Sequence, residues 1–272
     1  MQLEAVLPSP ALADFVEYYG LWEEEVQPGA PALAPVLPGV PNSLHVLYGH
    51  PPSTVALAGA SEQPAPATPL GLFTWPQLCL LPRGRVGIVG IHFRPAGFFH
   101  LFGVPLPEAP ASALEVGEGA RQFICELLRR IGAAATNTER LAAADELLLC
   151  HLRSQQPVPT TIDCVADRIL HQHGQVSIET LAHDAGLSRR QLERRFLTEV
   201  GHPPKLYARL ARFHHVLQLL AASPAPSWQD IAYRCGYYDQ AHFIREFRFF
   251  AGKSPSNYSL IDNRFAHFFW AR

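Results

Sequence analysis

The 272-residue sequence lacks any run of about 18 consecutive apolar residues, the length a membrane-spanning helix needs, and the segment Met1 to Phe15 has no positive charge ahead of an apolar stretch. These absences predict a chain that is neither embedded in a membrane nor secreted. Paired cysteines are lacking as well: Cys79, Cys125, Cys150, Cys164 and Cys235 are five, an odd number with no C-x-x-C spacing. That argues against a disulfide framework and a thiolate zinc site and fits a reducing cytoplasm. An excess of charge is also missing, since 22 Lys plus Arg face 24 Asp plus Glu for a net charge of −2. On its own this argues against a polyanionic partner. The average conceals two unlike halves. Residues 1–159 have no lysine and carry 8 Arg against 14 acidic residues, whereas residues 160–272 carry 14 basic against 10 acidic, giving −6 and +4.

What is present is proline, dense from Pro28 to Pro110 and sparse after Pro159 except at punctuating positions. Proline removes a backbone donor, so the front half reads as short strands and loops and the back half as helical. Candidate strands are Phe15 to Glu23, Ser43 to Tyr48, Val55 to Ala58, Gln77 to Leu81 and Val86 to Phe93, the last apolar or small enough to be buried on both faces. Pro28 to Pro41 and Ser61 to Pro69 read as loops. From Gly119 the period turns helical, with Phe123, Leu127 and Leu128 on one face, and a second helix opens at Thr136 with Glu139 as its capping-box partner. Ser154 to Pro159 breaks the pattern and is the best linker in the chain.

The stretch Val176 to Tyr258 holds a pattern that occurs twice. Ser177 opens a helix with Leu181 and Ala182 inward, Gly186 stops it, and Ser188 caps a second helix with Gln191 as its partner and Leu192 and Phe196 inward. Ser227 to Tyr237 repeats the opening serine, the inward Ile231-Ala232 and the terminating glycine, before a helix from Asp239 to Phe250. Leu206 to Ala222 joins the halves as one apolar-rich helix. Helix, glycine turn, helix is the helix-turn-helix arrangement, whose second helix enters the DNA major groove. Arg190, Glu193 and Arg194 share one polar stripe beside Arg189, and arginine can donate two bonds to guanine. A solvated charged face is the competing reading of each helix taken alone.

Ser188 to Phe196, Gly201-His202-Pro203-Pro204-Lys205, Ile231 to Phe247 and Gly252-Lys253-Ser254-Pro255-Ser256-Asn257-Tyr258 resemble the AraC/XylS transcription regulators. The resemblance covers about 100 residues at the carboxyl end and implies a bipartite DNA-binding domain of seven helices at 160–260 in the bacterial cytosol. The implied DNA-contacting residues are Arg189, Arg190, Glu193 and Arg194 in the first half and Gln240, His242 and Arg245 in the second. Two departures stand out. Glu193 is acidic, able to accept from cytosine or to pair with Arg189 or Arg190, and His214-His215 occupy positions where basic residues are commoner.

In the front half, Leu37 to Leu44, Gly90 to Phe99 and Leu101 to Pro105 are similar to the cupin-like small β-barrel domain of many such regulators. The fold expected is therefore α+β: a small barrel at 1–115, a helical linker or dimerisation segment at 116–154, then an all-α domain with two helix-turn-helix motifs. The resemblance implies promoter or operator DNA as partner, with RNA polymerase, a homodimer and a small-molecule effector as further ones. His92 and Arg94 are the polar groups to test for effector binding, although a buried hydrogen-bonded histidine and an arginine bracing the rim are equally open. An enzyme built on a cupin or a DNA-repair alkyl acceptor is the alternative. His171-Gln172-His173 is the one His-x-His, on a predicted helix where a spacing of two sets the rings about 200° apart, poorly placed for a shared metal. No catalytic residue, metal or cofactor is expected. Cys235 reads as packing, and the aromatic tail Asn263 to Arg272 as core or interdomain packing.

Overall fold

The computed structural model describes residues 2–26, 42–49, 53–56, 63–64, 70–71, 78–81, 84–104, 117–221 and 227–258. Pro28 to Pro41 and the aromatic tail lie outside them. The strands are β1 (Gln2–Val6), β2 (Val16–Val26), β3 (Asn42–Gly49), β4 (Ser53–Ala56), β5 (Gln63–Pro64), β6 (Leu70–Gly71), β7 (Leu78–Leu81) and β8 (Gly84–Phe93). Each of the five expected strands has its counterpart within a few residues. β1 was not expected, and β5 falls inside the stretch read as a loop.

All ladders are antiparallel, in a five-stranded sheet of order β1-β2-β8-β3-β6 and a three-stranded sheet of order β5-β4-β7. No ladder among the described residues joins the two, so the closed barrel expected from the resemblance is not formed by them. The short strands account for this: β5 and β6 are each two residues long, and Pro64 has no N–H to offer a further neighbour. β8 lies at the sheet's centre, buried continuously from Val86 to Phe93 as its composition predicts.

The pleat divides β8 between two surroundings. Val89, Ile91 and Phe93, with Tyr19, Leu21, Leu44 and Val46, pack with α1 (Gly97–Phe102), α2 (Glu118–Ala133) and α3 (Asn137–Gln155). Val86 and Ile88, with Trp22 and Ala96, belong to one apolar cluster with the carboxyl-terminal helices. Alternate residues face opposite ways in a strand, so one strand serves both. The capping box expected at Thr136 and Glu139 opens α3. α3 runs to Gln155, slightly past the expected break, and ends where Gln156 takes a φ of +46°.

The carboxyl-terminal domain is helical: α4 (Thr161–His171), α5 (Ile178–Asp184), α6 (Arg189–Val200), α7 (Pro204–Ala221), α8 (Trp228–Arg234), α9 (Gln240–Ala251) and a 3₁₀ turn at Pro255–Asn257. Six α-helices and the turn stand among the described residues where the resemblance implies seven helices. His171 and His173 are not on one helix, contrary to the sequence expectation. α4 ends at His171, and His173 sits in the closing turn at φ +50°, stacked on His215 of α7 with ring centroids 3.8 Å apart. The following Gly174 is at φ +71°, and a Cβ there would lie 1.9 Å from the Ala208 carbonyl oxygen, so only glycine lets α4 turn this closely over α7. Among the described residues no helix is long and apolar enough to cross a membrane.

Candidate nucleic-acid interface

Two helix pairs, α5 with α6 and α8 with α9, flank α7. Each is built as the repeated pattern predicts. Ser177 and Ser227 cap the first helices, accepting from the Thr180 and Asp230 amides. Gly186 at φ +67° and Gly236 at φ +68° make the turns. Ser188 and Gln191 form the expected capping box on α6, at 3.3 Å and 2.8 Å, and the Asp239 carboxylate accepts the His242 amide at 2.6 Å on α9. Leu192 and Phe196 of α6 and Phe243 and Phe247 of α9 are fully buried. α7 spans about 27 Å at 1.5 Å per residue, a strut of the order of the ~34 Å between successive major grooves.

The opposite faces carry the sequence-selected side chains. Arg189, Arg190, Arg194, Gln240 and Arg245 are exposed, and Glu193 and His242 are half-buried. Arg189 is held between two carboxylates, Glu179 of α5 at 2.5 Å and Glu193 one turn along α6 at 2.9 Å. Glu193 thus pairs with Arg189, one of the alternatives its acidity left open. Among the described residues no carboxylate binds Arg190, Arg194 or Arg245, so these guanidinium groups face outward unneutralised. His242 lies edge-on to Tyr237 at 5.3 Å with its Nε2 3.7 Å from the Glu246 carboxylate. Glu246 is buried and takes the Arg209 guanidinium of α7 at 3.1 Å, which fixes α9 to the strut. Burial, then the charge of His173, lowers the pKa of His215, so this histidine adds no cationic charge to α7 at neutral pH.

A helix-turn-helix domain family matches residues 181–260, from within α5 through α6, α7, α8 and α9. Over 122 residues the chain is 33% identical to the HTH-type transcriptional activator RhaS of Escherichia coli K12, covering 45% of this chain and 38% of that protein. The carboxyl-terminal region is therefore similar to the helix-turn-helix domain of AraC-type transcription regulators. The chain spans 38% of the length of the curated relatives it matches. Among solved structures, the DNA-binding domain of AdpA in complex with a target DNA is 31% identical over 36% of this chain and 88% of that one, with a TM-score of 0.33. ToxT from Vibrio cholerae covers 92% of this chain and 98% of its own at 8% identity, with a TM-score of 0.46.

In the amino-terminal sheet His92 is fully buried, stacked on Tyr18 at 4.1 Å and edge-on to His45 at 5.6 Å. Register explains the grouping: Tyr18 pairs with His92, and His45 with Gly90, across the central strand β8. A Cβ on Gly90 would lie 2.9 Å from His92 Nε2 and 3.1 Å from His45 Cδ2, so glycine makes room for both rings. Burial pushes the His92 pKa down to about 3 and holds His45 well below its ordinary value, with the charge of His92 as the second cause. Both are neutral near pH 7. Arg94 is elsewhere: exposed, with Nε donating to the Ala13 carbonyl at 2.8 Å and its charge acting on Asp167 of α4. Among the described residues no group of three or more His, Cys, Asp or Glu could hold a metal. Cys235 is buried against the second helix pair, its thiol pushed up to about 11 by burial.

Sequence reasoning missed His45, because which residue faces His92 depends on strand register, and register is a pairing property absent from either strand alone. It also missed Tyr233 and Tyr238, 86% and 93% exposed on either side of Gly236. A signal for the latter existed. The second turn is one residue longer from glycine to cap, Gly236 to Asp239 against Gly186 to Ser188, and Tyr238 is the residue added.

Proposed function

We propose that the chain is a sequence-specific DNA-binding transcription regulator, not an enzyme, whose two helix-turn-helix motifs read a promoter or operator duplex. In this reading residues 160–260 bind DNA, 1–115 sense a small-molecule effector, and 116–154 link or pair subunits, with RNA polymerase as a further partner in the cytoplasm. The observation that carries it is the pair of helices, α6 and α9, each with a buried apolar stripe and an outward polar face with unneutralised arginine, set apart by the length of α7. Arg190, Arg194, Gln240, His242 and Arg245 are the proposed readers. Arg189 and Glu193 act as a pair, the glutamate tethering the arginine until DNA competes for it. For the effector, His92 supplies a neutral imidazole together with His45, and Arg94 approaches from the edge near α4.

Selection of duplexes from a random library by the full chain tests the reading. A selected duplex should bind with a steep loss of affinity as salt rises. Arg190→Ala and Arg245→Ala should each relax base preference at one position, costing about 1–3 kcal/mol on the selected duplex and far less on random DNA. A wild-type chain that enriches no sequence would remove the reading, and undiminished selectivity in both variants would remove the residue assignment.

A further inference from the structure

α6 is held by more than the apolar core of its own domain. α1, at the end of the amino-terminal sheet, lies against α6 and carries His100, whose side chain is 4% exposed and packed edge-on to Phe15 and Phe99. His100 Nε2 is 2.8 Å from Oδ2 and 3.1 Å from Oδ1 of Asp163, in the first turn of α4. Asp163 Oδ2 also accepts the Thr160 amide at 2.6 Å, which makes it the returning half of the α4 capping box. The Thr160 hydroxyl accepts the Ile162 amide at 3.1 Å and donates its one proton to Glu199 Oε2 at 2.5 Å. Glu199 is buried in the last turn of α6, and its other oxygen accepts Arg195 Nε at 3.0 Å.

This is an unbroken run of hydrogen bonds, several of them charge-assisted, from α1 through the cap of α4 into α6. Burial pushes the Asp163 carboxyl up, and the bonds from His100 and Thr160 outweigh it, so the group stays below the ordinary aspartate range and is ionised. A buried carboxylate that loses a partner must find another, and hydrogen-bonded groups with few alternatives move together. Among the described residues the buried glutamate of α9, Glu246, takes the Arg209 guanidinium on one oxygen, a contact within the carboxyl-terminal domain.

We propose that His100 is a positioning residue for α6: the amino-terminal region seats the first reading helix through Asp163, Thr160 and Glu199, and leaves α9 unconstrained. A change of state in that region is then expressed as a change in one half of the DNA site only. This rests on the DNA-binding reading above and names how that site is regulated.

The test uses the full chain with His100→Ala, His100→Gln, Thr160→Val and the double variant His100→Ala/Thr160→Val. Amide exchange in His100→Ala should quicken about tenfold at residues 160–163 and 195–200 and stay unchanged at 240–251. On a duplex selected by the wild type, base preference should weaken in the half read by α6 and persist in the half read by α9. Gln, which can still donate to Asp163, should restore both. The double variant should differ from Thr160→Val by less than about twofold, because the two changes break one path. Unchanged exchange, equal weakening of both halves, or additive effects would overturn the proposal. Should His100→Ala not fold, Thr160→Val with Thr160→Ser as its rescue decides the same question. A wild type that selects no duplex would remove the DNA reading, while the exchange measurement still decides whether α1 seats α6.

Discussion

The buried imidazoles of His45 and His92 make a prediction whose size follows from the structure. A histidine in the unfolded chain takes up a proton near 6.5, whereas the folded His92 does so only near 3, and His45 is held down in the same sense. Below pH 6.5 the unfolded state therefore binds the extra protons, and stability falls as pH falls until the folded groups themselves titrate. With a folded value near 3, His92 loses about 1.4 kcal/mol between pH 7.5 and pH 5.5, and His45 adds a loss of the same sign. Urea unfolding of the wild type, His45→Gln, His92→Gln and the double variant at these two pH values, followed by tryptophan emission, measures the difference. Trp22 lies on the same face of the sheet as both rings and reports on it. The wild type should lose about 1.4 kcal/mol more than His92→Gln, and more than His45→Gln as well, with the widest gap against the double variant. Absolute stabilities can differ freely, since only the change with pH is compared, and His215, whose pKa is also lowered, contributes equally to all four proteins. An equal loss in the wild type and the double variant would refute the claim that both rings are buried and uncharged.

Three further outcomes are expected. Ser188→Ala removes the cap of α6 and should cost about 1 kcal/mol in thermal unfolding, with Ser188→Asp recovering most of it. Gly174→Ala should be more damaging, by several kcal/mol, because the residue combines φ +71° with the close approach to Ala208; a variant as stable as the wild type would mean that α4 and α7 are not packed as described. Glu179→Gln frees one side of Arg189 for a phosphate, and the dependence of log affinity on log salt should steepen by up to about 0.9, read by titrations at several salt concentrations.

The parts legible in the sequence are those specified by neighbours along the chain. The serine caps, the glycine turns and the inward Leu192, Phe196, Phe243 and Phe247 were readable because helix period and capping are local rules, and the repeat at Ser227 to Tyr237 made each half support the other. The continuous apolar run of β8 likewise announced its central position. What could not be read were pairings across distance: the His45–Tyr18–His92 group set by register, the Glu179–Arg189 ion pair between two helices, and the contact of His100 with Asp163, 63 positions away. Closure of the sheet, which the described residues do not show, depends on distance for a related reason. A resemblance carries an average fold, while whether a sheet closes depends on the lengths of particular edge strands.

The division of charge gains a sharper meaning from these pairings. A basic excess of +4 in residues 160–272 suggests an even attraction to DNA. The structure distributes it unevenly. In the first helix pair Arg189 is occupied by Glu179 and Glu193, and Arg168 of α4 is occupied by Asp184 of α5. In the second pair Arg245, Arg248 and Lys253 are exposed, and the one buried glutamate, Glu246, is matched from α7. Nonspecific attraction follows unneutralised charge. It should therefore draw on Arg190 and Arg194 of α6 as well as Arg245 and Arg248 of α9, with Arg189 joining once its ion pairs have been exchanged for DNA. The tie through Asp163 and Glu199 sets how α6 presents these groups, so altering it should change which sequences are bound in that half of the site while the arginines of α9 keep their hold on DNA.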